Sequence, residues 1–431
     1  MALSETATQN EIPVKGGLCD ITKQEAGYVK LTNKKDNHYF YWYFESRSDP
    51  AMDPFVIWLQ GGPGCSSLVG LLTENGPCQV NDDLTTSINP FSWTQNANVL
   101  WLDQPTNVGF SYSTAAEDQD QDQDDVSNNF YEFLQKFLDK HPELEGRPLF
   151  ITGESFAGHF IPAVAHKIWQ ESTKNGTSTA RINLQGIAIG NGWTNPLIQV
   201  EHALDMINNS YDVSLLSENE YNEAKQMVPQ CLALIEEERG LDVIQECLLV
   251  ITPYSSSGRN PSDIRQPCAS RNDPTQCYDY QHISAFLNSA LIKHSLNVPQ
   301  DLAWTLCKGS VSQPFFASGD YLKSYARYIE DLLDDSSIRV LFYVGDADTV
   351  CNWYGIKAMI TALDWKHTED FNTADERMFT TSNGSVDAGT VKSFNNQLTF
   401  LRVFNAGHMV PYDQPAVALE ILTKFLANQG F

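Results

Sequence analysis

The sequence is poor in basic side chains and in long apolar runs. It has 28 lysines and arginines against 54 aspartates and glutamates, a formal net charge of -26. This surplus of negative charge repels phosphate backbones and anionic lipids, so we expect neither nucleic acid nor a membrane as a partner. No apolar run approaches the roughly 20 residues that span a bilayer, and the first residues do not resemble a secretory signal. We expect a globular protein that is cytosolic or has lost a leader peptide.

The cysteines lack the Cys-x-x-Cys spacing of zinc sites and redox pairs. Nine cysteines, several in loop-like stretches such as "QPCASRNDPTQCY", instead indicate disulfides formed in an oxidising compartment. Sequons agree with this and predict glycosylation at Asn175, Asn208 and Asn383. The acidic stretch 117–125 lacks the Gly and the closing Glu of a calcium loop. We expect no metal and no cofactor, and a lysosomal, vacuolar or secreted destination.

Six short apolar runs are each followed by a turn rich in Gly, Asn or Asp, which is typical of buried strands. They are "PFVIWLQ", "NVLWL", "RPLFIT", "LQGIAI", "RVLFYV" and "LTFLRVF". A helix is predicted over 125–141, and "HYFYWYFES" suits an antiparallel hairpin at the sheet's edge. The alternation of strands and helices predicts an α/β fold with a mostly parallel sheet covered on both faces. The six turns would then share the edge where such folds place ligands.

The strand pattern stops between about residues 195 and 316, where helical segments alternate with five of the nine cysteines. We interpret this region as a helical insertion that disulfides hold over the carboxyl edge of the sheet. The expected organisation is a core in two parts, residues 1–194 and 317–431, with a cap of residues 195–316 between them.

The segment "LFITGESFAGHF" carries Ser155 from a predicted strand into a predicted helix. A serine in this place commonly caps the helix, and that alternative is open. The other interpretation is a nucleophile elbow, whose usual signature is Gly-x-Ser-x-Gly. Here the signature ends in Ala157 instead of Gly, and small residues at 153 and 157 fit the crowding of such a turn.

A serine hydroxyl needs a base, and the base needs an acid to orient it. His408 in "NAGHMVP" and Asp348 in "GDADTVC" each follow an apolar strand at the same predicted edge. The order Ser, Asp, His is that of α/β-hydrolases. It predicts a triad of Ser155, Asp348 and His408, with Asp346 as the rival for the acid.

An acyl-transfer site also needs donors for the developing oxyanion, each worth about a hundred- to a thousandfold in rate. The backbone N–H of Phe156, directly after the nucleophile, is the expected first donor. The loop "GGPGC" should supply the second, with Gly62 as the predicted residue. Taken alone, these glycines are also compatible with a tight turn that binds nothing.

Six motifs follow one another along the chain: "WLQGGPGCSSL", "LDQPTNVGFSYS", "ITGESFAGHFIP", "GNGWTNP", "YVGDADTVCNWYG" and "RVFNAGHMVPYDQP". Together they resemble the serine carboxypeptidases, the family of carboxypeptidase Y and lysosomal cathepsin A. The resemblance implies an α/β-hydrolase core with a helical cap. It also implies hydrolysis of a peptide's last residue through an acyl-enzyme, with the triad and oxyanion hole named above.

The resemblance further implies how the substrate's terminal carboxylate is bound. Glu154 and Glu74 would form a hydrogen-bond network for it, helped by Gln60 and Gly61. Two close carboxylates are not both ionised at low cost, so one should keep its proton well above the usual pKa and favour activity at acidic pH. Gln60 stands where the family generally has Asn. Phe156 replaces the usual Tyr, which should make the pocket for the residue before the scissile bond more apolar.

Met409 matches the family's wall for the departing residue, and Cys351 matches a free cysteine near the pocket for the preceding one. Core packing is the alternative for both. By family match the expected disulfides are Cys65–Cys307 and Cys268–Cys277, with Cys231–Cys247 as a third and Cys19–Cys78 as the remaining pair. The chain-entropy model gives the first of these about 4 to 5 kcal/mol of stabilisation.

Two other functions are compatible with the sequence. An acyltransferase or an esterase could use the same scaffold, because an acyl-enzyme passes to an alcohol as readily as to water. A catalytically idle protective or binding protein is the second alternative. The expected partners are peptide and protein C-termini as substrate, and a homodimer is compatible with this interpretation.

Overall fold

A computed structural model describes residues 18–174, 181–251, 257–268, 277–335, 338–382 and 387–431. The strands in these ranges are β1 Gln24–Lys30, β2 Asn37–Phe44, β3 Phe55–Leu59, β4 Cys78–Val80, β5 Thr86–Ile88, β6 Asn98–Leu102, β7 Tyr112–Ser113, β8 Pro148–Glu154, β9 Asn183–Gly190, β10 Arg259–Asn260, β11 Asp263–Pro267, β12 Arg339–Gly345, β13 Arg377–Thr380, β14 Asp387–Phe394 and β15 Leu398–Val403. The α-helices are α1 Leu68–Thr73, α2 Gln123–Lys140, α3 Ala157–Lys174, α4 Pro196–Glu201, α5 Glu218–Glu236, α6 Gly240–Glu246, α7 Leu248–Ile251, α8 Gln281–Asn288, α9 Ala290–Ser295, α10 Gly309–Ala317, α11 Ala326–Asp334, α12 Trp353–Thr361, α13 Thr368–Thr373, α14 Val410–Asp413 and α15 Pro415–Leu426.

One sheet dominates the described part of the chain. Its strand order is β1-β2-β6-β3-β8-β9-β12-β15-β14-β13, and β7 pairs with β2. The strands from β6 to β15 in this order run parallel, and they are the six apolar runs of the sequence. The predicted α/β fold with a mostly parallel sheet is therefore confirmed.

The apolar runs form strands because both faces of the sheet are covered. Every residue of β3 is buried, and successive side chains on a strand point to opposite faces. Ile57 packs in one apolar cluster with Phe133 of α2 and Val164 of α3. Its neighbour Trp58 packs in the other cluster with Ile421 of α15. A strand buried on both faces reads as a continuous apolar run.

The predicted helix over 125–141 corresponds to α2. Asp122 caps it by accepting the backbone N–H of Asp125 at 3.0 Å. The predicted edge hairpin corresponds to β1 and β2, but β1 is the outermost strand. Strand β2 also pairs with β6 and is buried along nearly its whole length. Its aromatic side chains therefore pack in the core on both faces of the sheet.

Helices α4 to α10 lie between β9 and β12, in the region expected to form the cap. The described residues there also include a short antiparallel hairpin, β10–β11, which the expectation of a helical insertion did not include. The domain boundaries themselves stay a prediction. All four expected disulfides are present: Cys19–Cys78, Cys65–Cys307, Cys231–Cys247 and Cys268–Cys277. Cys351 is free and buried.

The Cys65–Cys307 bridge joins residues 242 positions apart, and Cys65 is the last residue of the "GGPGC" loop. We expect the double substitution Cys65→Ser and Cys307→Ser to remove about 5 kcal/mol of stability, because an open chain regains the entropy of that long loop. It should also lower activity, since the bridge anchors the glycine loop. The midpoint of urea-induced unfolding measures the first effect.

The matched control is the substitution of Cys268 and Cys277 by Ser, which opens a bridge between residues only nine positions apart. The chain-entropy model gives this bridge about 2 to 3 kcal/mol. Equal shifts of the unfolding midpoint for the two double variants would contradict the expectation.

Of the predicted glycosylation sites, Asn208 is exposed, whereas Asn175 and Asn383 lie outside the described residues. Within the described ranges, no helix combines the length and apolar character needed to cross a bilayer. The same ranges contain no group of three or more His, Cys, Asp and Glu side chains arranged to hold a metal ion.

Candidate active site

Ser155 lies on a tight turn between β8 and α3. Its φ is +63°, which is uncommon for a residue other than Gly and typical of strained functional turns. Its backbone N–H donates to the carbonyl of Gly190 at 3.0 Å, and its carbonyl accepts the N–H of Trp193 at 2.8 Å. A helix N-cap adopts extended backbone geometry instead. The conformation is therefore that of an elbow and not that of a cap.

The small residues around Ser155 are required by packing. A Cβ atom at Gly153 would lie 2.1 Å from the carbonyl oxygen of Leu59 and 3.0 Å from the Cβ of Ala157. Residue 153 must therefore be Gly, whereas the methyl group of Ala157 fits the space left beside it. This explains why the signature tolerates Ala in its last position.

His408 pairs with Asp348. Its Nδ1 lies 2.7 Å from Oδ2 of Asp348, and Asp348 has 0% exposure. The carboxylate also accepts backbone N–H groups from Val350 at 2.8 Å and from Cys351 at 3.1 Å. A proton on Nδ1 leaves Nε2 as the nitrogen able to accept a proton from a serine.

Asp346, the rival acid, is occupied elsewhere. Its Oδ2 pairs with Arg402 at 3.0 Å, and its Oδ1 accepts the backbone N–H of Asn405 at 3.1 Å and the hydroxyl of Tyr211. These contacts fix the start of the turn that leads to His408. Asp346 therefore anchors the loop, while Asp348 contacts the imidazole.

Ser155 and His408 line the same cavity of about 380 Å³ at the carboxyl edge of the sheet. Its other lining residues are Gln60, Gly61, Gly62, Cys65, Val69, Glu154, Pro261, Ser262, Tyr278, Tyr280, Leu306, Cys307, Val350 and Met409. The structure thus brings most of the predicted site residues to one place. Asp348, Phe156, Glu74 and Cys351 are not among the lining residues, and the catalytic roles stay predictions.

The "GGPGC" loop packs directly against the elbow. A Cβ atom at Gly61 would lie 2.5 Å from the backbone nitrogen of Phe156, so only Gly allows this approach. Gly62 has a φ of +120°, which favours Gly. Asp103 holds the loop from below by accepting the Ser66 hydroxyl at 2.6 Å. Asp103 belongs to the motif "LDQPTNVGFSYS", but no periodicity or charge pattern in the sequence indicates this role.

Glu154 and Glu74 are both buried, with 1% and 2% exposure. Gln60 donates its amide to Glu154 at 2.6 Å and accepts the indole N–H of Trp58 at 3.0 Å, which fixes the orientation of the longer amide. Burial and the charge of Glu74 raise the pKa of Glu154 well above its usual range. Burial also raises the pKa of Glu74 to about 8. The pair therefore retains a proton at neutral pH.

Glu154 also acts on His408. Burial lowers the pKa of His408, but the charge and hydrogen bond of Asp348 and the charge of Glu154 outweigh it and raise the pKa to about 9. A proton on Glu154 removes one of the charges that hold the imidazolium. Protonation of Glu154 therefore lowers the pKa of His408 and increases the fraction of neutral imidazole, the form needed for a base.

The ring of Phe156 is not among the residues that line this cavity, so its predicted effect on the substrate pocket stays a prediction. Phe156 is 2% exposed and stacks on Tyr321 with centroids 5.3 Å apart and on His159 at 4.4 Å. The rings of Tyr321 and His159 cover the Phe156 ring, which therefore belongs to the apolar core. Cys351 likewise packs in the core beside Asp348, whereas Met409 lines the cavity and accepts the hydroxyl of Tyr280 at 3.5 Å.

Sequence reasoning missed the hairpin β10–β11 as a site element. The carbonyl of Ser262 accepts the backbone N–H of His408 at 2.7 Å, and the carbonyl of Pro261 accepts that of Thr349 at 2.9 Å. One turn thus holds the loops of both the predicted base and the predicted acid. The nearby bridge between Cys268 and Cys277 was the available signal that this segment is fixed.

Comparison with known proteins decides the family. Residues 17–428 match the family described as serine carboxypeptidase. The chain belongs to the serine carboxypeptidase family. The resemblance of the sequence motifs to this family and the predicted enzyme class, a serine-type carboxypeptidase, are thereby confirmed.

Individual relatives agree with this assignment. The chain is 38% identical over 420 residues to carboxypeptidase Y homolog A of Phaeosphaeria nodorum, which covers 95% of this chain and 74% of the relative. It is also 38% identical to carboxypeptidase Y of Saccharomyces cerevisiae, over 95% and 76% of the two chains. The crystal structure of Kex1Δp, a prohormone-processing carboxypeptidase from Saccharomyces cerevisiae, superposes with a TM-score of 0.84 at 26% identity, over 97% and 94% of the chains. The predicted α/β-hydrolase class of this serine carboxypeptidase is confirmed by that similarity.

Proposed function

We propose that this serine carboxypeptidase releases C-terminal residues through an acyl-enzyme on Ser155. His408 takes the serine proton as the hydroxyl attacks the scissile carbonyl, and Asp348 keeps the imidazole in the required tautomer. The backbone N–H groups of Phe156 and Gly62 stabilise the oxyanion. His408 then protonates the leaving amine, and a water molecule attacks the ester by the same route.

The observation that carries the proposal is the buried pair of Glu154 and Glu74 beside the elbow. A proton on this pair offers a hydrogen bond to the substrate's terminal carboxylate, and Gln60 and Gly61 complete the group that binds it. Such a site receives an anion only when the pair is not fully ionised. Binding of the substrate's carboxylate should therefore be favoured at acidic pH and weaken as the pH rises through the pKa of the pair.

The lining of the cavity supports a preference for apolar terminal residues. Val69, Tyr280, Leu306, Val350 and Met409 all face it. Burying an apolar side chain among them gains about 25 cal/mol for each Å² removed from water. An acidic terminal side chain would be desolvated beside the glutamate pair, which disfavours it.

The test compares a blocked dipeptide that ends in Leu with its C-terminal amide at pH 5. We expect kcat/KM to be about a hundredfold higher for the free acid, because the amide loses the charge-assisted hydrogen bonds. Measuring release of Leu and of Leu amide gives this ratio. Equal values would favour the alternative, an esterase or acyltransferase without carboxylate recognition.

Covalent labelling of Ser155 distinguishes an enzyme from the third alternative, a catalytically idle protective or binding protein. An organophosphonate should modify Ser155 in the native protein and not after unfolding, since attack needs His408 in place. A native protein that resists the probe would support the idle alternative.

The disulfides support a lysosomal, vacuolar or secreted location, because such bridges persist in oxidising compartments. Peptide and protein C-termini are the proposed partners. The homodimer stays a prediction.

A further inference from the structure

Asn191 belongs to the motif "GNGWTNP", which the proposed mechanism leaves without a role. It follows β9 directly and is fully buried, with 0% exposure. Its backbone N–H donates to the carbonyl of Tyr343 in β12 at 3.1 Å. Its φ of +36° lies in the left-handed region that Asn and Asp adopt more readily than other side chains.

The amide of Asn191 contacts the acid of the proposed triad. Its Nδ2 donates to Oδ2 of Asp348 at 2.9 Å, and its Oδ1 accepts the backbone N–H of Gly345 at 3.0 Å. A carboxylate needs a donor and an N–H needs an acceptor, so a neutral amide serves both partners at once. Asn191 thereby ties the end of β12 to the carboxylate three residues further along.

The oxygen that Asn191 contacts is the one that pairs with the base. Oδ2 of Asp348 receives His408 Nδ1 at 2.7 Å, Asn191 Nδ2 at 2.9 Å and the N–H of Cys351 at 3.1 Å. Hydrogen bonds at a carboxylate oxygen prefer limited directions. The donors from Asn191 and Cys351 on this oxygen, together with the N–H of Val350 on Oδ1 at 2.8 Å, therefore decide where the carboxylate lies and how the imidazole is aimed.

We propose that Asn191 is a positioning residue for the reaction, because its amide holds Asp348 so that His408 stays aligned with Ser155. This inference rests on the proposed catalytic roles of those three side chains. Asn191 is not among the residues that line the cavity, and its link to the site is the hydrogen bond to Asp348. Its loss should lower kcat and leave KM nearly unchanged.

A merely structural role is the alternative, since Asn191 also joins β9 to β12. The two roles differ in their response to pH. For a structural role, any side chain of this size that fills the space is sufficient. The positioning role requires a hydrogen-bond donor directed at Asp348.

Two variants separate these roles. Asn191→Gly removes the donor without straining the left-handed backbone, and we expect kcat to fall about a hundredfold, the usual effect of misplacing reactive groups by about 1 Å. Asn191→Asp keeps the size and the acceptor. Its ionised carboxylate would repel Asp348, but its protonated form donates an O–H bond where the amide donated.

Several titratable groups surround position 191: Asp348 and Cys351 after β12, Tyr343 in β12, Glu154 at the end of β8, and His408 through Asp348. Burial and the charge of Asp348 favour the protonated form of the introduced acid. We therefore expect kcat of Asn191→Asp, divided by wild-type kcat at the same pH, to rise from about one hundredth at pH 8 to within about tenfold of wild type at pH 4.5. The ratio for Asn191→Gly should stay low throughout.

A constant ratio for Asn191→Asp across this pH range, or a wild-type kcat for Asn191→Gly, would overturn the inference. If Asn191→Gly does not show a cooperative thermal transition, the pH profile of the Asp variant decides alone. The wild-type protein is the control for the underlying mechanism: if it neither cleaves peptides nor is labelled at Ser155, the proposed function fails instead.

Discussion

Ser155→Ala should lower kcat for peptide hydrolysis by at least about 10⁴-fold and leave substrate binding nearly unchanged. Without the hydroxyl no acyl-enzyme forms, and what remains is the contribution of the oxyanion hole and of binding. KM should change little, because the glutamate pair and the apolar walls of the cavity are intact. Steady-state kinetics on a blocked dipeptide with a free carboxylate give both constants.

Ser172→Ala is the matched control, because Ser172 is exposed on α3 and, within the described part of the chain, its hydroxyl is hydrogen-bonded to the carbonyl of Trp169. This variant should keep full activity. The melting temperature of Ser155→Ala should stay within a few degrees of wild type, since a change at a single serine in this turn removes little buried surface. Retention of more than a tenth of wild-type kcat in Ser155→Ala would show that the nucleophile is another group.

The sheet could be predicted from the sequence because parallel strands buried on both faces appear as continuous apolar runs. The run "NVLWL" has no polar side chain after its first residue, and β6 is buried throughout. The turns after these strands could be placed together because parallel strands end at one edge. That Ser155 and His408 lie near each other could therefore be predicted from their positions directly after parallel strands.

Other features of the site depend on contacts that leave no local pattern. Asn191 is a small polar residue after a strand, as in many turns, and only the geometry shows that its amide contacts Asp348. The hairpin of Pro261 and Ser262 reaches the loops of Asp348 and His408 across the fold. The sequence does not show which way the ring of Phe156 points, because the rings that stack on it lie elsewhere along the chain.

The rival acid Asp346 illustrates the same limit. Two aspartates at alternate positions after one strand look equivalent in the sequence "GDADTVC". They differ in the structure because Arg402, on the neighbouring strand β15, pairs with Asp346. Which carboxylate contacts the imidazole is thus decided by a cation 56 residues away in the chain.

Glu154→Gln should flatten the pH dependence of KM for a substrate with a free carboxylate. Burial and the neighbouring carboxylate raise the pKa of Glu154, and burial raises the pKa of Glu74 to about 8. The wild-type pair holds protons to donate at acidic pH and loses them as the pH rises, when its charge repels an anionic substrate. KM should therefore rise up to about tenfold per pH unit above the pKa of the pair.

The amide of the Glu154→Gln variant donates a hydrogen bond at every pH, so its KM should rise less steeply, with the remaining slope due to Glu74. A double variant with Glu74→Gln should lose the slope. The charge of Glu154 also raises the pKa of His408, so removing it should move the acidic limb of kcat to lower pH. Glu143→Gln, at a glutamate whose side chain is 53% exposed, is the matched control and should follow the wild type. If KM of Glu154→Gln tracks the wild-type profile from pH 4 to pH 9, the pair does not receive the substrate's carboxylate.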